Sequence, residues 1–269
     1  MKFVQTLLIA AVCGFVFSNA YAQSDSGTQA GYATVARIQG EARYSTGDNQ
    51  WHALTVGQTL TAGCIVQTAV DSSVDLILGA RIPHHINAYP DKIAPAPDAS
   101  VRGLTAYKAS AQQNVIRMQA NTVLAINQLT ISDTGVDAVS DTELDLRQGT
   151  IFGNVKKLSA ASQYLIKIPT GIAGVRGTTF VLSADGAITV VQGSMIVSTV
   201  VNGQPVTMAL GPGDQYDPST GQVTHLTHEE FAAAMREAVQ VITIVEGILS
   251  FADDNTTIYI SPIHGKHGH

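Results

Sequence analysis

An all-β fold, either an antiparallel β-sandwich or a β-solenoid-like domain with one C-terminal amphipathic helix, is predicted by three features of the sequence. Short runs alternate apolar and polar residues between Tyr32 and Tyr216, the pattern of half-buried strands. Turn sequences punctuate them: Thr46-Gly47-Asp48-Asn49, Asp185-Gly186, Gln192-Gly193, Asn202-Gly203 and Gly211-Pro212-Gly213, with five to eight residues between the last four. Only one long segment, "THEEFAAAMREAVQVITIVEGIL", carries apolar residues at helical spacing. Composition agrees, since 45% hydrophobic and 13% charged residues with 24 glycines exclude a disordered chain and favour a turn-rich β protein. At 269 residues one main domain is expected.

The first 22 residues read as a secretory signal: Lys2, an apolar run from Leu7 to Phe17, and Ala20-Tyr21-Ala22 as the cleavage site. The apolar run is shorter than the roughly 20 residues that span a bilayer, so no stable membrane insertion is expected after cleavage. Residues 23–31 are small and polar, and read as a flexible leader. Cleavage would leave Cys64 as the sole thiol, placed between "LTAG" and "IVQT" as a buried apolar residue.

The β domain is expected over 32–223. It is interrupted at 80–112 by a proline-rich surface insertion, where prolines remove ladder donors. The segment 224–260 holds the helix and a possible last strand, "TTIYISP". Thr227 followed by Glu230 forms a capping box, and Phe231, Ala234, Met235, Ala238, Ile242, Val245 and Leu249 share one helical face over about residues 228–249. Residues 261–269 form a histidine-bearing tail.

Several chemistries are excluded by what the residues lack. The net charge is −6 and no basic block occurs, so no nucleic acid partner is expected. There is no G-x-S-x-G, and "HEE" at His228 lacks the second histidine of a zinc-protease helix. No catalytic residue is nominated, no cofactor is expected and the chain is read as not an enzyme. His264, His267 and His269 could wrap a metal ion, as could His84 with His85, but without cysteine or carboxylate beside them a solvated tail is the simpler reading and no metal site is assigned. Trp51 follows a turn and is read first as the anchor of a small β core, with stacking on a sugar as the alternative.

The segment "TGIAGVRGTTFVLSADG" has the glycine density of a phosphate loop. A β-branched run and another Asp-Gly turn follow it, where a phosphate loop requires a helix. It is therefore read as a tight β-corner, with Arg176 over it and Gly177 at a position that takes no side chain.

These motifs, in the order "WHALTVGQTLTAGCIVQT", "SSVDLIL", "NTVLAINQL", "LDLRQGTIFGNV", "YLIKIPTG", "GVRGTTF", "VVQGSMIV" and "LGPGDQY", resemble those of FecR-domain proteins over roughly residues 33–223. Trp51, Gly57, Gly149, Gly174, Arg176, Gly177 and Thr178 carry the signature. The resemblance implies an extracytoplasmic all-β domain used for protein contact or signalling. Family members typified by iron-transport regulators join such a domain to a cytoplasmic anti-sigma segment and a membrane helix. Here only "MKFVQT" precedes the apolar run, so the resemblance does not extend to direct control of a sigma factor.

The expectation is thus a periplasmic or secreted, non-catalytic FecR-like module. Its partner would be another envelope protein, bound by strand addition at an exposed edge or by docking of the apolar helix. The alternative is a module for carbohydrate or cell-wall glycan that uses Trp51, Tyr89 and Tyr107.

Overall fold

The computed structural model describes residues 27–48, 50–80, 114–133, 137–201 and 203–253. The N-terminal half carries β1 (Thr28–Ala30), β2 (Tyr32–Gln39), β3 (Ala42–Ser45), β4 (His52–Ala53), β5 (Thr59–Leu60), β6 (Ile65–Thr68) and β7 (Ser73–Gly79). Then come β8 (Asn114–Met118), β9 (Val123–Asp133), β10 (Ala138–Gln148), β11 (Thr150–Asn154) and β12 (Gln163–Ile168). The last group is β13 (Gly171–Ser183), β14 (Ile188–Val201), β15 (Gln204–Leu210), β16 (Asp214–Asp217), β17 (Gln222–His225) and α1 (His228–Asp253).

The all-β class with one C-terminal helix holds. The strands form one large curled sheet that closes on itself, with one parallel pairing, β10 with β12, among otherwise antiparallel ladders. Residues 28–30, expected in a leader, are a strand paired with Thr130–Ser132 of β9. The signal segment, the 80–112 insertion except Ala80, and everything beyond Asp253 lie outside the described residues.

Alternation, interrupted at bulges, divides the strands between two faces. One face fills the curl with Val74, Leu76 and Leu78 of β7, Ile116 and Met118 of β8, Leu144 and Leu146 of β10, and Phe180 and Leu182 of β13. Cys64 joins this core, buried as expected. The opposite face of β2, β7, β8, β11 and β14 places Ala36, Ile77, Val115, Phe152 and Val191 beneath Ala238, Val241 and Ile242 of α1. The helix therefore covers a second, smaller apolar patch on the outside of the sheet. Its capping box is complete: Thr227 N–H donates to Glu230 Oε2 at 2.9 Å, and Glu230 N–H donates back to Thr227 Oγ1 at 3.3 Å, which satisfies donors the first helical turn would leave open.

On that outer face Asp75 and Arg117 sit directly opposite each other on β7 and β8. Arg117 Nε and Nη2 donate to Asp75 Oδ1 and Oδ2 at 2.6 and 2.7 Å. The carboxylate is buried and the guanidinium nearly so. Bidentate pairing is what allows two charges to occupy such a site.

Candidate functional site

The described residues present three distinct features, and the signature segment organises one of them. Along β13, Ala173 and Val175 point into the core before the bend, and Phe180 and Leu182 after it. The inward set thus changes from odd to even positions, which requires one extra residue. The ladder to β14 shifts register between Arg176 and Thr179, where Gly177 takes φ 68°. β14 makes the complementary change, from Ile188 and Val190 to Met195 and Val197, at Gly193 with φ 83°.

The expected corner between two strands is therefore a bulge inside one long strand. β13 runs unbroken through it, pairing with β12 before the bulge and with β11 after it. Thr178 is buried there. Arg176 is exposed, and while its backbone lies in the ladder opposite Ser194, its side chain makes no hydrogen bond or ion pair with a described residue. Gly193, read from sequence as a turn residue and within the motif "VVQGSMIV", lies inside the unbroken β14 and is the partner of Gly177 that the signature residues omitted.

Of the remaining signature residues, Gly57 (φ 83°) lies in the turn between β4 and β5, and its N–H donates to Val35 O at 2.8 Å. Gly149 (φ 81°) joins β10 to β11 against Thr122 and the Asn121 carbonyl. Gly174 has ordinary backbone geometry, and a Cβ there would make only ordinary contacts, with Ile196 O at 3.7 Å and Leu165 Cδ2 at 3.9 Å. These glycines serve the fold.

Trp51 departs from its expected place in the core. It is 40% exposed, and Leu54, three residues on, fills the core position. The reason is the β3–β4 pairing, which sets Arg43 opposite Ala53 and brings its guanidinium carbon 4.5 Å from the Trp51 ring centroid. Arg43 is opposite Gln67 on its other side, and its Nε and Nη2 donate to Gln67 Oε1 at 2.9 and 2.8 Å. Trp51, Arg43, Gln67 and Glu41 border an open groove of about 700 Å³ whose lining includes the small residues Gly40, Ala53 and Ala69. Such a volume suits a small polar ligand. Tyr89 and Tyr107, the other stacking candidates, and His264, His267 and His269 lie outside the described residues. Among the described residues no three metal-ligating side chains gather, and no helix is long and apolar enough to cross a membrane.

The third feature is the β14–β15 hairpin. β15 pairs with β14, and no described strand pairs with its other edge. Ile196 and Val200 of β14 are 60% and 58% exposed, and Val206 of β15 is 38% exposed. Neither Met195–Val201 nor Gln204–Leu210 contains a charged residue. Native edge strands are usually blunted by charge, by proline or by twist. Here charge is absent and a proline is present, Pro205 near the tip.

Comparison with known proteins places this hairpin at the border of a recognised region. Residues 105–196 match the model of the FecR protein family. The match contains Gly149, Gly174, Arg176, Gly177, Thr178 and Gly193, and excludes Trp51 and Gly57. It supports a signalling or regulatory module in preference to a catalytic one. Two crystal structures of a candidate anti-sigma factor from Parabacteroides distasonis, at 2.50 and 1.65 Å, are similar at 17% and 18% identity. Each has a TM-score of 0.33 and covers 47% of this chain and 58% of that protein's. The chain thus aligns with little more than half the length of those proteins. No curated protein matches it.

Proposed function

We propose that this FecR-matched chain is an exported, non-catalytic regulatory module of the cell envelope that binds a protein partner by strand addition along β15. The observation that carries the reading is the β15 edge with which no described strand pairs, uncharged and flanked by exposed Ile196 and Val200. An edge of this kind offers backbone hydrogen bonds for affinity and alternate side chains for specificity. The FecR match over 105–196 supports protein contact as the task.

The test is capture from envelope extract by the wild-type chain and by a Thr207→Pro chain whose circular dichroism is unchanged. A specific partner should be retained by the first and lost by the second. Equal retention by both would remove β15 from the proposal, and a chain that retains neither an envelope protein nor a second copy of itself would end it. Export is tested by N-terminal sequencing of the mature chain, expected to begin at Gln23.

A second reading is favoured by the exposure of Trp51 at the groove beside Arg43 and Gln67, an arrangement able to stack a sugar ring and bond its hydroxyls. Trp51 is the only tryptophan, so its fluorescence reports directly on that groove. Peptidoglycan fragments that leave the emission unchanged would dispose of the glycan reading.

A further inference from the structure

The phase of the open edge follows from its proline. Pro205 has no N–H, so the Val200–Pro205 pair cannot exchange two backbone hydrogen bonds. Val200 N–H indeed turns the other way and donates to Thr170 O at 3.2 Å. The ladder has no register shift, so bonded and unbonded pairs alternate along it. Val206, Met208 and Leu210 therefore spend their backbone groups on β14. Thr207 and Ala209 direct their N–H and C=O outward, and both residues are exposed.

The open lane is short. β17 occupies the same lane beside β16 and ends with His225 opposite Asp214, which leaves room for a strand about as long as β15 itself.

We propose that the occupant of this lane is β15 of a second copy of the chain, paired antiparallel about a twofold axis through Met208. The proposal rests on the strand-addition reading and names its partner. In this register Thr207 of one copy faces Ala209 of the other, and the reverse. Four backbone hydrogen bonds form, and every outward donor and acceptor of the two residues is used. A register centred on Thr207 would instead set Ala209 against Pro205, where a donor is missing. Charge points the same way. Each copy carries a net −6, and like-charged molecules approach at least cost where neither presents a charge. The β14–β15 hairpin is such a place. The contact is isologous, the commonest form of soluble self-association.

The experiment has a mass arm and a register arm. Sedimentation equilibrium of the full chain should show a dimer that Ala209→Pro converts to monomer, with the circular dichroism spectrum retained because Ala209 N–H serves no described bond within the fold. For register, Met208→Cys in a Cys13→Ser background should oxidise to a covalent dimer. The twofold pair would be an unbonded pair with Cα atoms about 4.5 Å apart, within disulfide reach. Val206→Cys in the same background should not cross-link, because it faces Leu210 of the other copy. A monomer into the high micromolar range, a dimer indifferent to Ala209→Pro, or cross-linking at 206 in place of 208 would each overturn self-pairing. A monomer that still captures a Thr207→Pro-sensitive envelope protein would refute the second copy while leaving strand addition intact.

Discussion

Gly193 lies against the backbone of Gly177, so that a Cβ built on Gly193 would fall onto the Gly177 carbonyl oxygen. Both residues have positive φ, 83° and 68°, and together they let β13 and β14 change faces at the same level. Gly193→Ala should therefore destabilise the chain by about 2–4 kcal/mol, combining backbone strain with a backbone clash. Gly177→Ala should cost less, since its Cβ would meet Lys157 Cα at 3.3 Å. Gly174→Ala, with nothing nearer than 3.7 Å, should fall within about 0.5 kcal/mol of wild type. Urea denaturation gives the order, and a Gly174 variant as damaging as the Gly193 one would refute this account of the bulge.

Removing one member of the Asp75–Arg117 pair should be worse than removing both. Arg117→Met leaves a carboxylate buried without its partner, at a cost of about 3–5 kcal/mol. The double variant Asp75→Leu, Arg117→Met takes away both charges and should recover a large part of that loss. A double-mutant cycle in urea measures the coupling. Strict additivity would mean that the pair contributes nothing as a pair.

Trp51→Ala should cost no more than about 1 kcal/mol, whereas truncating a core aromatic costs about 3–5 kcal/mol. A loss in the core range would contradict the exposed placement. The companion substitution Arg43→Ala, which removes the cation over the ring, should shift the tryptophan emission without unfolding the chain.

The capping box predicts a pH dependence of α1. The Thr227 hydroxyl, followed by the Thr227 N–H, bonds the Glu230 carboxylate and holds its pKa below the ordinary 4.5. A carboxyl depressed in the folded state adds stability above its unfolded pKa and loses it as pH falls through the folded value. Wild-type stability should therefore decline below pH 4.5 more than that of Glu230→Gln, with the difference closing at low pH. Thermal melts across that range would show it, and parallel curves for the two proteins would count against the box.

Much of this architecture was legible because its causes are local. Thr227 and Glu230 announce the helix start through their own hydrogen bonds, and Gly57, Gly149 and Gly186 mark places where φ must be positive. The alternation in "SVDLILG" and "ELDLRQ" reports strands through a period of two. Trp51 misled because an aromatic beside a turn is chemically suited to either face, and only the pairing of β3 with β4 and β6 turned it outward. The bulge escaped because "VVQGSMIVSTVV" is apolar on both sides of Gly193, so the change of face leaves no mark in a pattern of residue types.

By itself the sequence determined the class of fold, the turns apart from Gln192-Gly193, which lies inside β14, the helix and its cap, and the family resemblance carried by the glycine signature. Tertiary structure alone decided that Gly177 has Gly193 as its partner, that Asp75 meets Arg117, that β10 runs parallel to β12, and that no described strand pairs with one side of β15. The division has one physical cause. Backbone conformation and capping depend on neighbours along the chain, whereas strand pairing joins residues tens of positions apart, and its register is set only when the whole curled sheet closes around its core.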